Sequence, residues 1–131
     1  MRGWLAKLLG DKGERAAAKF LKKKGFCILA RQYKNRVGEI DLIATDKETI
    51  VFVEVKTRKS NRAGIPVEAV TLTKQKQIIR TALVYLKRYQ LLDHRVRFDV
   101  VGIIWEADSS TPEISHYLNA FSSDDFGQMF S

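Results

Sequence analysis

The chain has 131 residues, 45% of them hydrophobic, and a formal net charge of +8. That length supports one compact domain spanning 1–131 with a real core, with residues 1–10 and 122–131 peripheral to it, and is too short for two. No apolar run approaches the roughly 18 to 20 residues that cross a bilayer, and residues 1–10 meet charge too early for a secretory signal, so a cytoplasmic protein with no membrane span is expected. A lone cysteine, Cys27, excludes an internal disulfide and a multi-cysteine metal centre; its apolar setting, Phe26-Cys27-Ile28-Leu29-Ala30, predicts a buried, inert thiol.

The charge is unevenly spread. All 23 Lys and Arg lie within residues 1–97 against nine acids, a balance of +14, whereas residues 98–131 carry −6. A basic body of this kind attracts polyanions, most simply nucleic acid.

In chain order, a first helix is predicted from about Asp11, a cap, to Lys24, with Ala17, Phe20 and Leu21 on one face and Gly25 closing it. Lys22-Lys23-Lys24 then form its exposed, dipole-complementing end. Three strands rich in Val, Ile, Phe and Tyr follow, about 26–34, 38–45 and 49–57, and their short connectors predict antiparallel neighbours. Residues 60–66, polar with Gly64 and Pro66, read as a loop. A second helix runs from a Thr71 cap to about Gln90, burying Leu72, Ile79, Leu83 and Leu86 while Lys76, Arg80 and Lys87 recur elsewhere. Two more strands, Val96 to Trp105 and Glu113 to Phe121, are joined by a turn at 108–112, and residues after 121 read as a tail. The order α-β-β-β-α-β-β implies a mixed sheet flanked by helices.

The second and third strands carry the chemistry. Asp41 stands in Gly38-Glu39-Ile40-Asp41-Leu42-Ile43-Ala44, and Glu54 in Val51-Phe52-Val53-Glu54-Val55-Lys56. A hairpin loop of Lys47-Glu48, or the favoured Asp46–Thr49, makes facing residue numbers add to 95, which sets Asp41 opposite Glu54 and Glu39 opposite Lys56. A salt bridge accounts for Glu39 and Lys56. Two facing carboxylates are different, because they repel unless one is protonated or a cation lies between them. The donors are all oxygen, with no histidine or thiolate near in sequence, so Mg²⁺ or Mn²⁺ is expected rather than zinc. An ammonium beside such an ion suits phosphodiester hydrolysis.

Asp41 followed by Glu54-Val55-Lys56 resembles the D…(D/E)-x-K signature of restriction-endonuclease-like nucleases. The fuller text, Gly38 to Ala44 and Val51 to Arg58, is similar to the bacterial YraN family, and the similarity extends over about residues 11–121. One departure is Gln32, where that family leads one to expect asparagine. The resemblance implies an αβββαβ restriction-endonuclease-like core and a site like that of Holliday junction resolvases: Asp41 and Glu54 as metal ligands, Lys56 as catalytic lysine, and Glu14 as an acid on the first helix. Asp11-x-x-Glu14 also reads as a near capping box, which gives Glu14 a structural alternative.

Arg58, Lys59 and Arg62, together with Lys74, Lys76 and Arg80, are placed to hold flanking phosphates. His94 and His116 read as ordinary surface or partly buried residues, Asp99 as a hydrogen-bonding residue near the sheet edge outside the catalytic set, and Tyr33, Tyr85 and Tyr89 as packing residues. The expected function is a divalent-metal-dependent DNA endonuclease acting on branched or structured DNA, for which a homodimer would suit two-strand cleavage. The alternatives are a non-catalytic nucleic-acid-binding module that keeps the acidic pair as a vestigial metal site, and an adaptor that meets protein partners through its acidic tail and basic body.

Overall fold

A computed structural model of the chain describes residues 2–59, 66–106 and 110–124. Its elements are α1 (Arg2–Lys23), β1 (Cys27–Lys34), β2 (Glu39–Asp46), β3 (Thr49–Arg58), a short 3₁₀ turn (Pro66–Ala69), α2 (Leu72–Arg88), β4 (Val96–Ile104) and β5 (Glu113–Phe121). The strands form one sheet in the order β1-β2-β3-β4-β5, antiparallel except for the parallel β3–β4 pair that α2 connects. The first six of these elements, the 3₁₀ turn aside, give the αβββαβ order, and β5 is added at the edge.

The helices cover opposite faces of the sheet. α2 lays Ile78, Ile79, Ala82, Tyr85 and Leu86 on Ile40, Ile43, Ile50, Phe52, Phe98 and Val100. α1 lays Ala17, Ala18 and Leu21 on Leu42, Ala44, Val51, Val53, Val101 and Ile103. With both faces covered, β3 and β4 are continuous apolar runs, which makes the isolated Glu54 and Asp99 conspicuous. Tyr85 collects Tyr33, Phe52 and Tyr89 around it at ring distances of 5.2, 5.8 and 4.8 Å, so these tyrosines pack.

Several expectations need correction. α1 starts at Arg2, so Asp11 is no cap but a mid-helix residue that accepts from Lys7 and from Gln32. The Leu, Ala and Lys of the first ten residues carry the helix straight through Gly3 and Gly10. It ends as expected: Gly25 takes φ +98°, with Phe26 N–H bonded to Leu21 O and Gly25 N–H to Lys22 O. The β2–β3 loop is the shorter candidate, Lys47-Glu48, with Asp46 paired to Thr49 and Lys47 at φ +56°; the facing numbers still add to 95. Cys27 is exposed, because β1 is an edge strand. Leu72, first residue of α2, projects into solvent, while Thr71 caps the helix by accepting from Lys74 N–H. The loop at 60–65 and most of the tail lie outside the described residues.

His116 is no ordinary surface residue. Its side chain is 3% exposed and its Nε2 lies 2.8 Å from Asp99 Oδ2, while its Nδ1 lies 2.7 Å from Lys24 Nζ. An ammonium only donates, so Nδ1 accepts and Nε2 carries the proton given to Asp99. Asp99 also takes two N–H bonds from Arg97, which reaches on to Asp46 at 3.0 Å, and one from Asn119 N–H. Burial pushes the Asp99 carboxyl up, but His116, Arg97 and the Asn119 N–H outweigh it and hold it below the usual carboxylate range. The bonds converge there because the β4–β5 register shifts between Phe98 and Val100, where Asn119 adopts φ +52°.

Candidate metal and nucleic-acid site

β2 and β3 pair from Asp46↔Thr49 as far as Leu42↔Val53. Beyond that, the Asp41 side chain takes over from the ladder: Oδ2 accepts the Val55 N–H at 2.7 Å. On the other side of β2, Gln32 falls opposite Asp41, between the pairs Arg31↔Leu42 and Tyr33↔Ile40, and has φ +48°. Ala30 and Tyr33 pack on the same cluster although they are three residues apart, and so do Ile40 and Ile43. A regular strand would send such residues to opposite faces, so both strands change face parity at the Gln32–Asp41 pair. The expected Glu39–Lys56 salt bridge is therefore absent. Glu39 lies 4.0 Å from Lys34 on β1, and Lys56 turns to Glu54.

Glu54 is 5% exposed on the α2 side of β3, with Lys56 Nζ and Lys74 Nζ each 3.8 Å from Oε2. Burial, a hydrogen bond with Asp41 and the charge of Asp41 push its carboxyl up to about 8, against the pull of Lys74 and Lys56. At neutral pH the Glu54 carboxyl therefore favours its protonated form.

α1 supplies the opposite wall. Gly13 is buried against β3, and a Cβ there would overlap Thr57 Oγ1 and lie 2.9 Å from Thr57 Cβ. Only glycine lets the helix come this close. The next residue, Glu14, is buried; burial raises its pKa, a hydrogen bond with Gln32 opposes that, and the charge of Asp41 adds to it. Lys7, Gly10, Asp11, Glu14, Gln32, Lys34, Glu39, Asp41 and Val55 line a cleft of about 480 Å³.

The structure thus brings together Asp41, Glu54, Lys56, Lys74 and, across the cleft, Glu14. Lys74, expected to hold a flanking phosphate, lies 3.8 Å from Glu54. Its capped position at the start of α2 aims it there. Arg58 ends β3, Lys59 is exposed just after it, and Lys76 and Arg80 lie further along α2. Arg62 is outside the described residues. Two site residues escaped the sequence reading. Gly13 had no visible signal beyond its adjacency to Glu14, and Gln32 stood out only as a departure.

The donor set fits a hard divalent cation. Asp41 and Glu54 are both oxygen donors, and the rise that burial and the Asp41 charge impose on Glu54 marks a place where positive charge is favoured. Among the described residues no group of three His, Cys, Asp or Glu stands close enough to form a metal site, so Asp41 and Glu54 would act as a pair completed by water and substrate oxygens.

The fold defines a mixed α/β protein in which a buried Glu54, with Lys56 and Lys74 beside it, lies next to a half-buried Asp41 that lines the cleft. Residues 13–103, which contain all of these groups, match the family model described as "Uncharacterised protein family UPF0102", in accord with the YraN resemblance. The chain belongs to that family. A UPF0102 protein of Geotalea daltonii is 48% identical over 115 residues, covering 88% of this chain and 90% of the relative. One of Chlorobium phaeobacteroides is 52% identical over 117 residues, covering 86% and 93%. One of Caldanaerobacter subterraneus is 45% identical over 116 residues, covering 88% and 95%.

Proposed function

We propose that this protein is a divalent-metal-dependent endonuclease that hydrolyses phosphodiester bonds in branched or structured DNA. The supporting observation is the placing of Asp41 and Glu54 where two strands part, with Asp41 on the Val55 N–H, Lys56 Nζ 3.8 Å from Glu54, and the Glu54 carboxyl raised by burial and by Asp41. Mg²⁺ or Mn²⁺ held by the pair would polarise a phosphoryl oxygen and supply a bound water of lowered pKa. Asp41 is pre-oriented by the Val55 N–H, and Glu54 must release its proton to take part. The Lys56 ammonium, on the same face of β3 as Glu54, offsets negative charge that develops on the phosphate. Lys74 adds a second cation at the same carboxylate. Arg58, Lys59, Lys76 and Arg80 surround this centre with positive charge that positions a duplex without reading its sequence.

One observation favours a second reading, a nucleic-acid-binding module without chemistry. Glu54 has two ammoniums beside it and Asp41 has an N–H, so each acid has partners without an ion. The deciding experiment incubates wild type and Asp41→Asn with linear, flapped and four-way DNA in Mn²⁺. Cleavage of the branched substrates by wild type alone is expected. Binding without cleavage by either protein would select the second reading.

A further inference from the structure

On the side of α1 away from the cleft, Lys12, Arg15, Lys19 and Lys23 recur at spacings of three and four and form one solvent-facing row. The cleft uses Lys7, Asp11 and Glu14 of the same helix, so α1 divides two surfaces. The row borders a groove of about 600 Å³, floored by Phe20 and Trp105 and closed by Pro112 on the far side. Lys12 Nζ lies 3.7 Å above the Trp105 ring. Among the described residues no Asp or Glu lines the groove, and none of the four cations has a carboxylate within 4.0 Å. Like charges at three- and four-residue spacing destabilise a helix, so an uncompensated row is best explained by an anionic occupant.

The groove is joined to the catalytic strand. Trp105 N–H bonds to Arg58 O at 2.8 Å, two residues beyond Lys56. Lys12 to Lys23 spans about 16 Å of helix, the axial rise of roughly five nucleotides of one strand. We infer that this groove binds the phosphate backbone of a second duplex arm while a first arm occupies the cleft. This rests on the nuclease reading above and makes a branched substrate the one that uses both surfaces. Nucleic acid is favoured over an anionic bilayer because the apolar residues lining the groove, Ala16, Phe20, Trp105, Pro112 and Ile114, are half-buried rather than fully exposed, while the cations beside them are exposed. The exposed Trp4, Leu5 and Leu8 precede that row along the helix rather than flanking it.

The test is fluorescence anisotropy in EDTA, across a salt series, with a four-way junction and a linear duplex of one arm's length. For Lys19→Ala/Lys23→Ala, junction affinity should fall about tenfold, and the slope of log affinity against log salt should shrink by about 1.8. Linear-duplex affinity should change less than about twofold, and Lys19→Arg/Lys23→Arg should behave as wild type. Unchanged junction affinity and slope would overturn the inference, as would equal losses on both substrates. So would loss of binding to phosphatidylserine vesicles with DNA binding intact. A groove-dependent junction complex with no cleavage in Mn²⁺ would sink the nuclease reading and leave the groove standing, whereas a fully cleaving protein indifferent to the double substitution would do the reverse.

Discussion

Asp41 accepts the Val55 N–H at 2.7 Å, and its charge adds to the burial that pushes up the carboxyl of Glu54, the residue immediately before Val55. A single carboxylate thus ends the β2–β3 ladder and adds to the burial that raises its neighbour's pKa. Asp41 therefore belongs both to the cleft facing α1 and to the group of charges around Glu54 on the α2 side.

Metal-free protein should lose stability as pH rises through neutrality. The Glu54 carboxyl sits near 8 when folded against an ordinary value of 4.5, so between those values the folded state binds the extra proton. The stability it contributes is complete below about 4.5 and is lost as pH passes through 8, a decline of a few kcal/mol. Urea melts in EDTA at pH 6 and pH 9 measure it. Asp41→Asn removes the facing charge and should flatten the slope, and Mn²⁺ should stabilise wild type more at pH 8.5 than at pH 6. A wild-type slope that Asp41→Asn leaves unchanged would rule out Asp41 as a cause of the raised Glu54 carboxyl.

Lys56→Ala should reduce cleavage of four-way DNA about 100-fold or more with little change in DNA affinity, because this ammonium is assigned to charge at the reacting phosphate. Single-turnover cleavage beside anisotropy separates the two effects. Equal loss of affinity would make Lys56 a binding residue.

Much of this was readable from the chain, and the gaps have physical causes. Turn parity alone gave the β2–β3 register, since both even loops preserve facing numbers that add to 95. Pairing beyond Leu42 was not readable, because it depends on the parity change that Gln32 makes on the neighbouring strand. Asp11 looked like a cap since a cap and a solvated mid-helix aspartate have the same local sequence, and only packing distinguishes them. His116 and Asp99 are 17 residues apart and meet through an irregular β4–β5 register that no periodicity signals. Lys74 could be placed at a helix start but not aimed, because the parallel β3–β4 crossover that orients α2 is a tertiary fact.

Breaking the buried ionic cluster should cost far more than a surface change. Arg97→Ala leaves Asp99, which is fully buried, with only His116 and the Asn119 N–H, and should destabilise by about 3–5 kcal/mol. Because the Asp99 carboxyl is held low, its contribution is present above its ordinary value of 3.8 and is lost as pH falls toward the lower folded value. The variant should therefore show a weaker dependence on pH below 4 than wild type. Denaturant melts from pH 3 to pH 7 measure both effects, and a loss under about 1 kcal/mol would show that the cluster is not a stabilising unit.

The same substitution at two glycines of α1 should act with opposite signs. At Gly10 an added Cβ meets nothing within 4 Å, so Gly10→Ala should stabilise by about 0.5–1 kcal/mol through the unfolded chain. At Gly13 the Cβ would overlap Thr57, and the resulting shift of α1 should outweigh that gain and destabilise by about 1–3 kcal/mol. Moving α1 also moves Glu14 away from Asp41, so Gly13→Ala should lower cleavage more than its stability loss explains at a temperature where it remains folded. Adding Thr57→Ala removes the nearest atoms and should restore part of both. If Gly13→Ala proved as stabilising as Gly10→Ala, α1 would not be held against β3 at this point, and Glu14 would have no fixed place in the cleft.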